Sequence, residues 1–347
     1  MQNIYDITIV GGGPAGLYSS FYSGLRGMKT KIIEFQPKLG GKVQIYPEKM
    51  IWDVGGMRPT LGQDFVKELV QQGLTFDPTV CLNTKVEYIE KIDGLFVITT
   101  NSGMKHVSKA VILANGGGII SPIKLDIQGA EKFEMTNLHY TVQHLERFSG
   151  KHILISGGGN AAIDWAVELL EVAASVKVIY RKEQLSAHEA QVQAFIKGGG
   201  QIFLNASIQS LVANNERTCI KEVVIETGYE KVTIAVDDVL INHGYNRESS
   251  FEFAADLQPK LKDDYYYVGT GRGKLSVDGL FAAGDIISYE GKINLLVGAF
   301  QDAVNAVNSV KKYLEPSAYE HAMVSSHNDV FKERNKELLQ EKLVKML

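Results

Sequence analysis

Residues 7–20 read ITIVGGGPAGLYSS and residues 153–166 read ILISGGGNAAIDWA. Each is an apolar run that enters three glycines and leaves on a helix-like pattern. In the first, Gly11, Gly13 and Gly16 form G-x-G-x-x-G behind the strand YDITIV, with PAGLYSSFYSGLRG as the helix and KTKIIEF as the next strand. In the second, Gly157, Gly159 and Ala162 form the G-x-G-x-x-A variant behind HILIS, followed by NAAIDWAVELLEVA and SVKVIY. The first glycine permits a tight turn, the second lets backbone approach a pyrophosphate, and the third lets helix pack on strand. The helix N-terminus then offers unpaired N–H groups and positive dipole charge to phosphates. Two such strand–helix–strand units predict an α/β fold with two Rossmann-like dinucleotide-binding domains built on parallel sheets.

The two loops are not copies. Counting 23 residues on from Gly11 reaches Glu34, a carboxylate at a strand end that accepts hydrogen bonds from ribose hydroxyls. The same count from Gly157 reaches Tyr180, with Arg181 and Lys182 next. A carboxylate repels a 2′-phosphate and an arginine accommodates one. The first site is therefore expected to take an unphosphorylated ribose, as in FAD or NAD, and the second to take NADPH. The alternative for Arg181 and Lys182 is a solvated strand end.

Between the loops, GLFVITT (94–100) and AVILANGG (110–117) read as strands closing the first sheet, and IISPIKLDIQGAE (119–131) as a loop at a domain junction. Late in the chain DGLFAAGD (278–285) reads as a short buried strand ending in Gly-Asp, ahead of the helical run NLLVGAFQDAVNAVNSV. The tail FKERNKELLQEKLVKML has helical spacing. It is either an amphipathic helix docked on its own core or a contact with a partner chain in a homodimer.

Composition narrows the function classes. The chain has 347 residues, 45% hydrophobic and 22% charged, and a net charge of −4, so nothing global favours nucleic acid or an anionic membrane. MQNIYDITIV enters a strand without a basic run ahead of an apolar one, which argues against a secretory signal. The longest apolar stretch, AVILANGGGII, is broken by glycines and too short to span a bilayer. The expected address is the cytosol. Cys81 and Cys219 are the only cysteines, with no C-x-x-C and no metal-ligand spacing, and Val192 stands where an H-E-x-x-H motif beginning at His188 needs its second histidine.

IVGGGPAGL, GGGNAAIDWA and GLFAAGD, in that order, resemble the two-domain flavoprotein disulfide reductase superfamily. LGGK…YPEKMIWDVGG (39–56), NLHY (137–140), RKEQLSAHE (181–189) and GDIISYEGKINL (284–295) narrow this to a resemblance to ferredoxin–NADP reductases of the thioredoxin-reductase-like type, over nearly the whole chain. The resemblance implies an FAD domain of residues 1–117 and 245–347 with an NADP domain, 118–244, inserted into it. It implies that Glu34 holds the adenosine ribose of FAD, that backbone near Val86 meets the adenine, and that Tyr46 stacks on the flavin. Asp285 is expected at the ribityl or pyrophosphate region and Ile120 against the cofactor, while Ser325, Ser326 and His327 are candidates to cover the other flavin face. Lys42 stands where a flavin-contacting glutamine is frequent, and the loop to Tyr46 is one residue short. Asn160 replaces an acid of the second loop, and Ser186 replaces a second arginine.

Thioredoxin reductases of this fold carry C-x-x-C shortly before the second glycine loop; here NLHYTVQHLERFSGKHILIS has no cysteine. A disulfide relay needs two close thiols. The expected chemistry is hydride transfer from nicotinamide to flavin, then single-electron release to ferredoxin or flavodoxin, with no general base. Lys38, Lys42, Lys49 and Arg58 are candidates to dock the acidic partner. The alternatives are an NAD(P)H oxidase or a flavin or quinone reductase, and a nucleotide-sensing flavoprotein without turnover.

Overall fold

Ile7, Ile9, Ile32, Val111 and Ile112 have no measurable exposure, as strands covered on both faces require. They belong to the first of two units in the computed structural model, which describes residues 3–142, 144–228, 230–248 and 251–346. The first unit takes the chain up to Gln44, Lys49–Ile119 and everything from Glu248; the second takes Ile45–Glu48 and Ile120–Arg247. These crossings fall two and three residues beyond those expected from the sequence.

In the first unit the strands run in the order Glu252–Phe253, Val86–Ile92, Leu95–Thr100, Lys105–Leu113, Ile4–Val10, Thr30–Ile33 and Thr79–Cys81, and Leu280–Ala282 also pairs Lys105–Leu113. Register aligns the carboxyl ends of four parallel strands: Val10 lies opposite Ile33 and Leu113, and Leu113 opposite Ala282. The helix Pro14–Leu25 packs beside Leu296–Leu314 over this sheet. Small residues at that contact (Ala15, Ala299, Ala306) let backbone lie close to strand side chains such as Ile9 and Ile112. Each fully buried Ile or Leu contributes about 1.5–3 kcal/mol to this packing. Proline at the first position and an extended Gly13 cap start Pro14–Leu25.

In the second unit five parallel strands stand in the order Leu138–His139, Asp238–Ile241, His152–Ser156, Ser175–Tyr180 and Gln201–Leu204. The helix Asn160–Leu170 buries Ala162, Ile163, Trp165, Ala166 and Leu169. An antiparallel sheet of Ala206–Ala213, Ile220–Thr227 and Lys231–Ala235 completes the unit.

Two readings of the sequence change. The segment 119–131 opens with a short strand, Ile119–Pro122, paired with Tyr245–Glu248. The tail is helical at Lys332–Met346, but residues 332–340 stay exposed, Leu338 at 56% and Leu339 at 61%. Its anchor to its own core is Phe331, whose ring stands 6.4 Å from Phe21 and 5.7 Å from Phe76, with Arg334 over Phe76. The aromatic Phe331 carries this docking because the charged residues beyond it keep the helix wet. Among the described residues no helix is long and apolar enough to cross a membrane.

Candidate functional site

The first glycine loop is a cradle made of backbone. Gly11 has φ +108°, and a Cβ there would lie 2.5 Å from the Ala114 carbonyl oxygen. A Cβ on Gly16 would fall 1.9 Å from the Gly11 oxygen, so helix and strand meet only because Gly16 lacks a side chain. The paired glycines of LGGK close the cradle from outside. The Gly40 N–H donates to Gly12 O at 2.9 Å, and a Cβ on Gly41 would come 2.7 Å from Gly13 Cα. Bare N–H groups at the start of a helix, with no side chain in the way, suit a pyrophosphate.

Glu34 is buried at 8% exposure beneath this loop. Its Oε2 accepts from Gly12 N–H at 2.6 Å and its Oε1 from Gln36 N–H at 2.7 Å. Burial pushes its carboxyl above the usual carboxylate range, opposed by the N–H groups of Gln36, Gly12 and Phe35. The backbone fixes both oxygens and leaves lone pairs for hydroxyl donors. Glu34 O also accepts from Thr84 N–H at 3.0 Å, which draws in the loop leading to Val86, itself buried at the start of its strand. Gly11, Gly13, Gly16, Glu34 and Val86 are thus assembled at one carboxyl edge.

Asp285 is exposed on a 3₁₀ turn, Gly284–Ile286, next to the same edge. A Cβ on Gly284 would lie 2.8 Å from the Ala15 Cβ, so the turn abuts the helix that follows the glycines. Lys42 is exposed on the turn Gly41–Ile45.

Tyr46 lies in the segment Ile45–Glu48. The half-buried segment Ile45–Glu48 groups with the second unit although its flanking residues belong to the first. Thr141 Oγ1 donates to Ile45 O at 3.1 Å, Leu145 N–H donates to Glu48 Oε2 at 3.2 Å, and His144 Nδ1 lies 3.1 Å from Glu48 Oε1. Tethers between residues almost a hundred positions apart override chain neighbourhood. Ser325, Ser326 and His327 form an exposed turn whose polar contacts are local, including Ser326 Oγ to His327 Nδ1 at 3.0 Å. The side chain of Ile120 lies outside the described residues.

The second loop repeats the first with altered chemistry. Gly157 has φ +155°, and a Cβ there would be 2.5 Å from Asn242 O. A Cβ on Gly12 would approach Glu34, and one on Gly158 would strike the Tyr180 ring at 2.4 Å. Tyr180 therefore fills the place that Glu34 holds in the first loop, and presents no acid to a ribose. Ala162 is buried where the helix packs, and Arg181 and Lys182 are exposed just past the strand end.

Ser186 is built into the loop: its N–H donates to Gly158 O at 2.8 Å, its Oγ to the same oxygen at 3.2 Å, and it bridges Gly159. Asn160 Oδ1 accepts from His188 N–H at 2.9 Å and so ties the helix start to the Ser186–His188 segment.

Three further residues crown this loop and were not found from the sequence. Ser156 Oγ and His243 Nε2 are 2.8 Å apart, and Asn242 Oδ1 is buried with no partner among the described residues. Loss of solvation and then the charge of Arg181 hold the His243 ring below the usual imidazole range. The amide oxygen of Asn242 is an acceptor suited to a nucleotide donor. The INHG stretch carries no spacing that separates it from an ordinary strand end.

The donor sets fit two dinucleotides: an acid-lined cradle with a Gly-Asp turn for FAD, and an acid-free loop with Arg181 and Lys182 for NADP(H). Cys81 and Cys219 are free thiols.

Residues 5–308 match the family described as pyridine nucleotide-disulphide oxidoreductase. The chain is 58% identical over 346 residues to ferredoxin–NADP reductase 3 of Lysinibacillus sphaericus, covering 99% of each chain. It is 54% identical over 344 residues to ferredoxin–NADP reductase 1 of Bacillus thuringiensis, covering 98% of each. In structure it is similar to thioredoxin reductase of T. acidophilum, with TM-score 0.73, 25% identity, and 91% of this chain and 100% of that one covered. It is also similar to thioredoxin reductase of Lactococcus lactis, with TM-score 0.72, 22% identity, and 89% and 99% covered.

Proposed function

The chain belongs to the pyridine nucleotide-disulphide oxidoreductase family and groups within it with the ferredoxin–NADP reductases, and we propose that it moves electrons between NADPH and ferredoxin or flavodoxin. It is an oxidoreductase with the two-domain dinucleotide-binding fold of thioredoxin reductases. The observation that carries the proposal is the contrast between the two loops: Glu34 beneath the first, Tyr180 and Arg181 at the second, and no cysteine pair beside either. A thioredoxin reductase on this fold needs that pair.

In this reading the first unit is the flavin unit. FAD, when bound, supplies two-electron acceptance from a nicotinamide and single-electron release to an iron–sulfur partner. The residues hold and orient. The loop Gly11–Gly13 and the start of Pro14–Leu25 bind the pyrophosphate, Glu34 the adenosine ribose, and Asp285 the ribityl–pyrophosphate region. Tyr46, Ser325, Ser326 and His327 would contact the flavin ring, and the chain would work as a homodimer. Gly157–Gly159 bind the NADP pyrophosphate while Arg181 and Lys182 take the 2′-phosphate. No side chain has to move a proton for the hydride step, so the chain's contribution is alignment and exclusion of water.

Docking of an acidic partner falls to Lys38, Lys42 and Arg58, which are exposed, and to the half-buried Lys49. With no apolar membrane-crossing helix among the described residues, the cytoplasm is the proposed address.

Anaerobic titration tests the proposal. The purified protein should be yellow, bleach with NADPH more readily than with NADH, and pass electrons to ferredoxin faster than to oxygen. Fast oxygen or quinone reduction with sluggish ferredoxin transfer would favour an oxidase or quinone reductase. Tight nucleotide binding without turnover on any acceptor would favour a sensor.

A further inference from the structure

Behind the Gly-Asp turn lies a buried polar cluster that the proposed function does not use. Asp302, on the helix Leu296–Leu314, is only 2% exposed. Its Oδ2 accepts from Gly284 N–H at 3.1 Å and from Lys292 Nζ at 2.9 Å, and its Oδ1 accepts from Tyr289 OH at 2.6 Å. The Lys292 side chain is 8% exposed, and its ammonium also donates to Ile293 O at 2.9 Å. One carboxylate thus ties the turn that carries Asp285 to the loop 289–293.

The location gives this cluster meaning. Gly284 has φ +81°, in the left-handed region that favours glycine, and its N–H is the donor that meets the Asp302 carboxylate. A buried N–H without an acceptor is destabilising, so a side chain that supplies one favours the turn. Asp302 does so, and Lys292 neutralises the charge this requires. The turn stands at the carboxyl ends of Ile4–Val10, Lys105–Leu113 and Leu280–Ala282, where open α/β sheets bind their ligands.

We propose that Asp302 is a positioning residue of the flavin site, its carboxylate locking the Gly284–Ile286 turn so that Asp285 meets the bound cofactor. The inference rests on the reading of this unit as the flavin unit. Lys292 is the counter-charge that accompanies the carboxylate into the interior, and Tyr289 fixes its second oxygen. Asparagine at 302 keeps one acceptor oxygen for three donors, so it cannot hold the turn and the loop together.

Titration of the full-length protein, stripped of flavin, with FAD tests this, alongside the unfolding midpoint of the stripped protein. Tyr289→Phe removes one hydrogen bond and leaves the charge pair; its Kd for FAD should rise about three- to tenfold, with a smaller fall in the stripped midpoint than Asp302→Asn gives. Asp302→Asn should weaken FAD by about tenfold or more and lower the midpoint, because it strands an ammonium. Adding Lys292→Met to Asp302→Asn removes the stranded charge. The midpoint should then recover while FAD affinity stays about tenfold weak and the visible flavin spectrum remains shifted from wild type. Recovery of FAD affinity together with the midpoint, or a Kd within twofold of wild type in Tyr289→Phe and in the double variant, would overturn the proposal. A wild-type protein that binds no FAD would instead sink the flavin reading on which it rests.

Discussion

Replacing Arg181 with alanine is expected to raise KM for NADPH about tenfold and to leave KM for NADH within about twofold. Arg181 is exposed just past the strand end and directly follows Tyr180, which offers no acid to a ribose. A charge-assisted hydrogen bond to phosphate contributes about 1.5–3 kcal/mol. Arg181 is exposed, so solvent screening sets the lower figure, and about 1.4 kcal/mol corresponds to a factor of ten. Ser186 offers no substitute because both its N–H and its hydroxyl are committed to Gly158 O. Lys182, exposed next door, retains part of the attraction, so Arg181→Ala with Lys182→Ala should lose more than Arg181→Ala alone. Steady-state assays with a dye acceptor and both nucleotides read this directly, and kcat should hold. Equal rises for NADPH and NADH, or no rise for either, would refute the assignment of the 2′-phosphate to Arg181.

Gly16→Ala should cost about 3 kcal/mol or more in denaturant unfolding, since its Cβ falls 1.9 Å from the Gly11 backbone oxygen, whereas Gly117→Ala, facing open space, should be neutral. Glu34→Gln should weaken FAD binding, and comparing unfolding midpoints of the flavin-free proteins tests the sign of its titration. A folded-state pKa above the ordinary value favours folding at low pH and loses that contribution as pH rises. The wild type should therefore gain on Glu34→Gln as pH drops from about 7 to about 4, and an opposite slope contradicts burial as the dominant cause. Reversing the charges of Lys38, Lys42 and Arg58 should slow ferredoxin reduction several-fold at low salt, flatten its salt dependence and spare dye reduction; unchanged ferredoxin kinetics would remove these residues from the docking face.

The glycine loops were legible because their constraints are local: strand, turn and helix lie within a few residues, and Glu34 and Tyr180 sit at a fixed distance along one βαβ unit. What escaped depends on contacts across the chain. Asn242 and His243 meet the second loop through strand pairing of Ile241 with Ser156, which no spacing in the sequence announces. The segment Ile45–Glu48 reads as part of its neighbours until Thr141 and Leu145 claim its backbone and carboxylate. Ser186 looked like a lost phosphate ligand, and the folded chain gives its hydroxyl a structural partner instead. Asp302 carried no signal at all, since an aspartate on a helix is ordinarily a solvated one.

The central claim is that the second loop delivers electrons to whatever the first one holds, with no thiol between. Anaerobic stopped-flow mixing of the Cys81→Ser, Cys219→Ser protein with NADPH, followed by oxidised ferredoxin, measures that route alone. The expected result is flavin bleaching by NADPH and recolouring by ferredoxin at wild-type rates. A flavin that stays oxidised with NADPH, or that bleaches but cannot pass electrons to ferredoxin once the cysteines are gone, would contradict it.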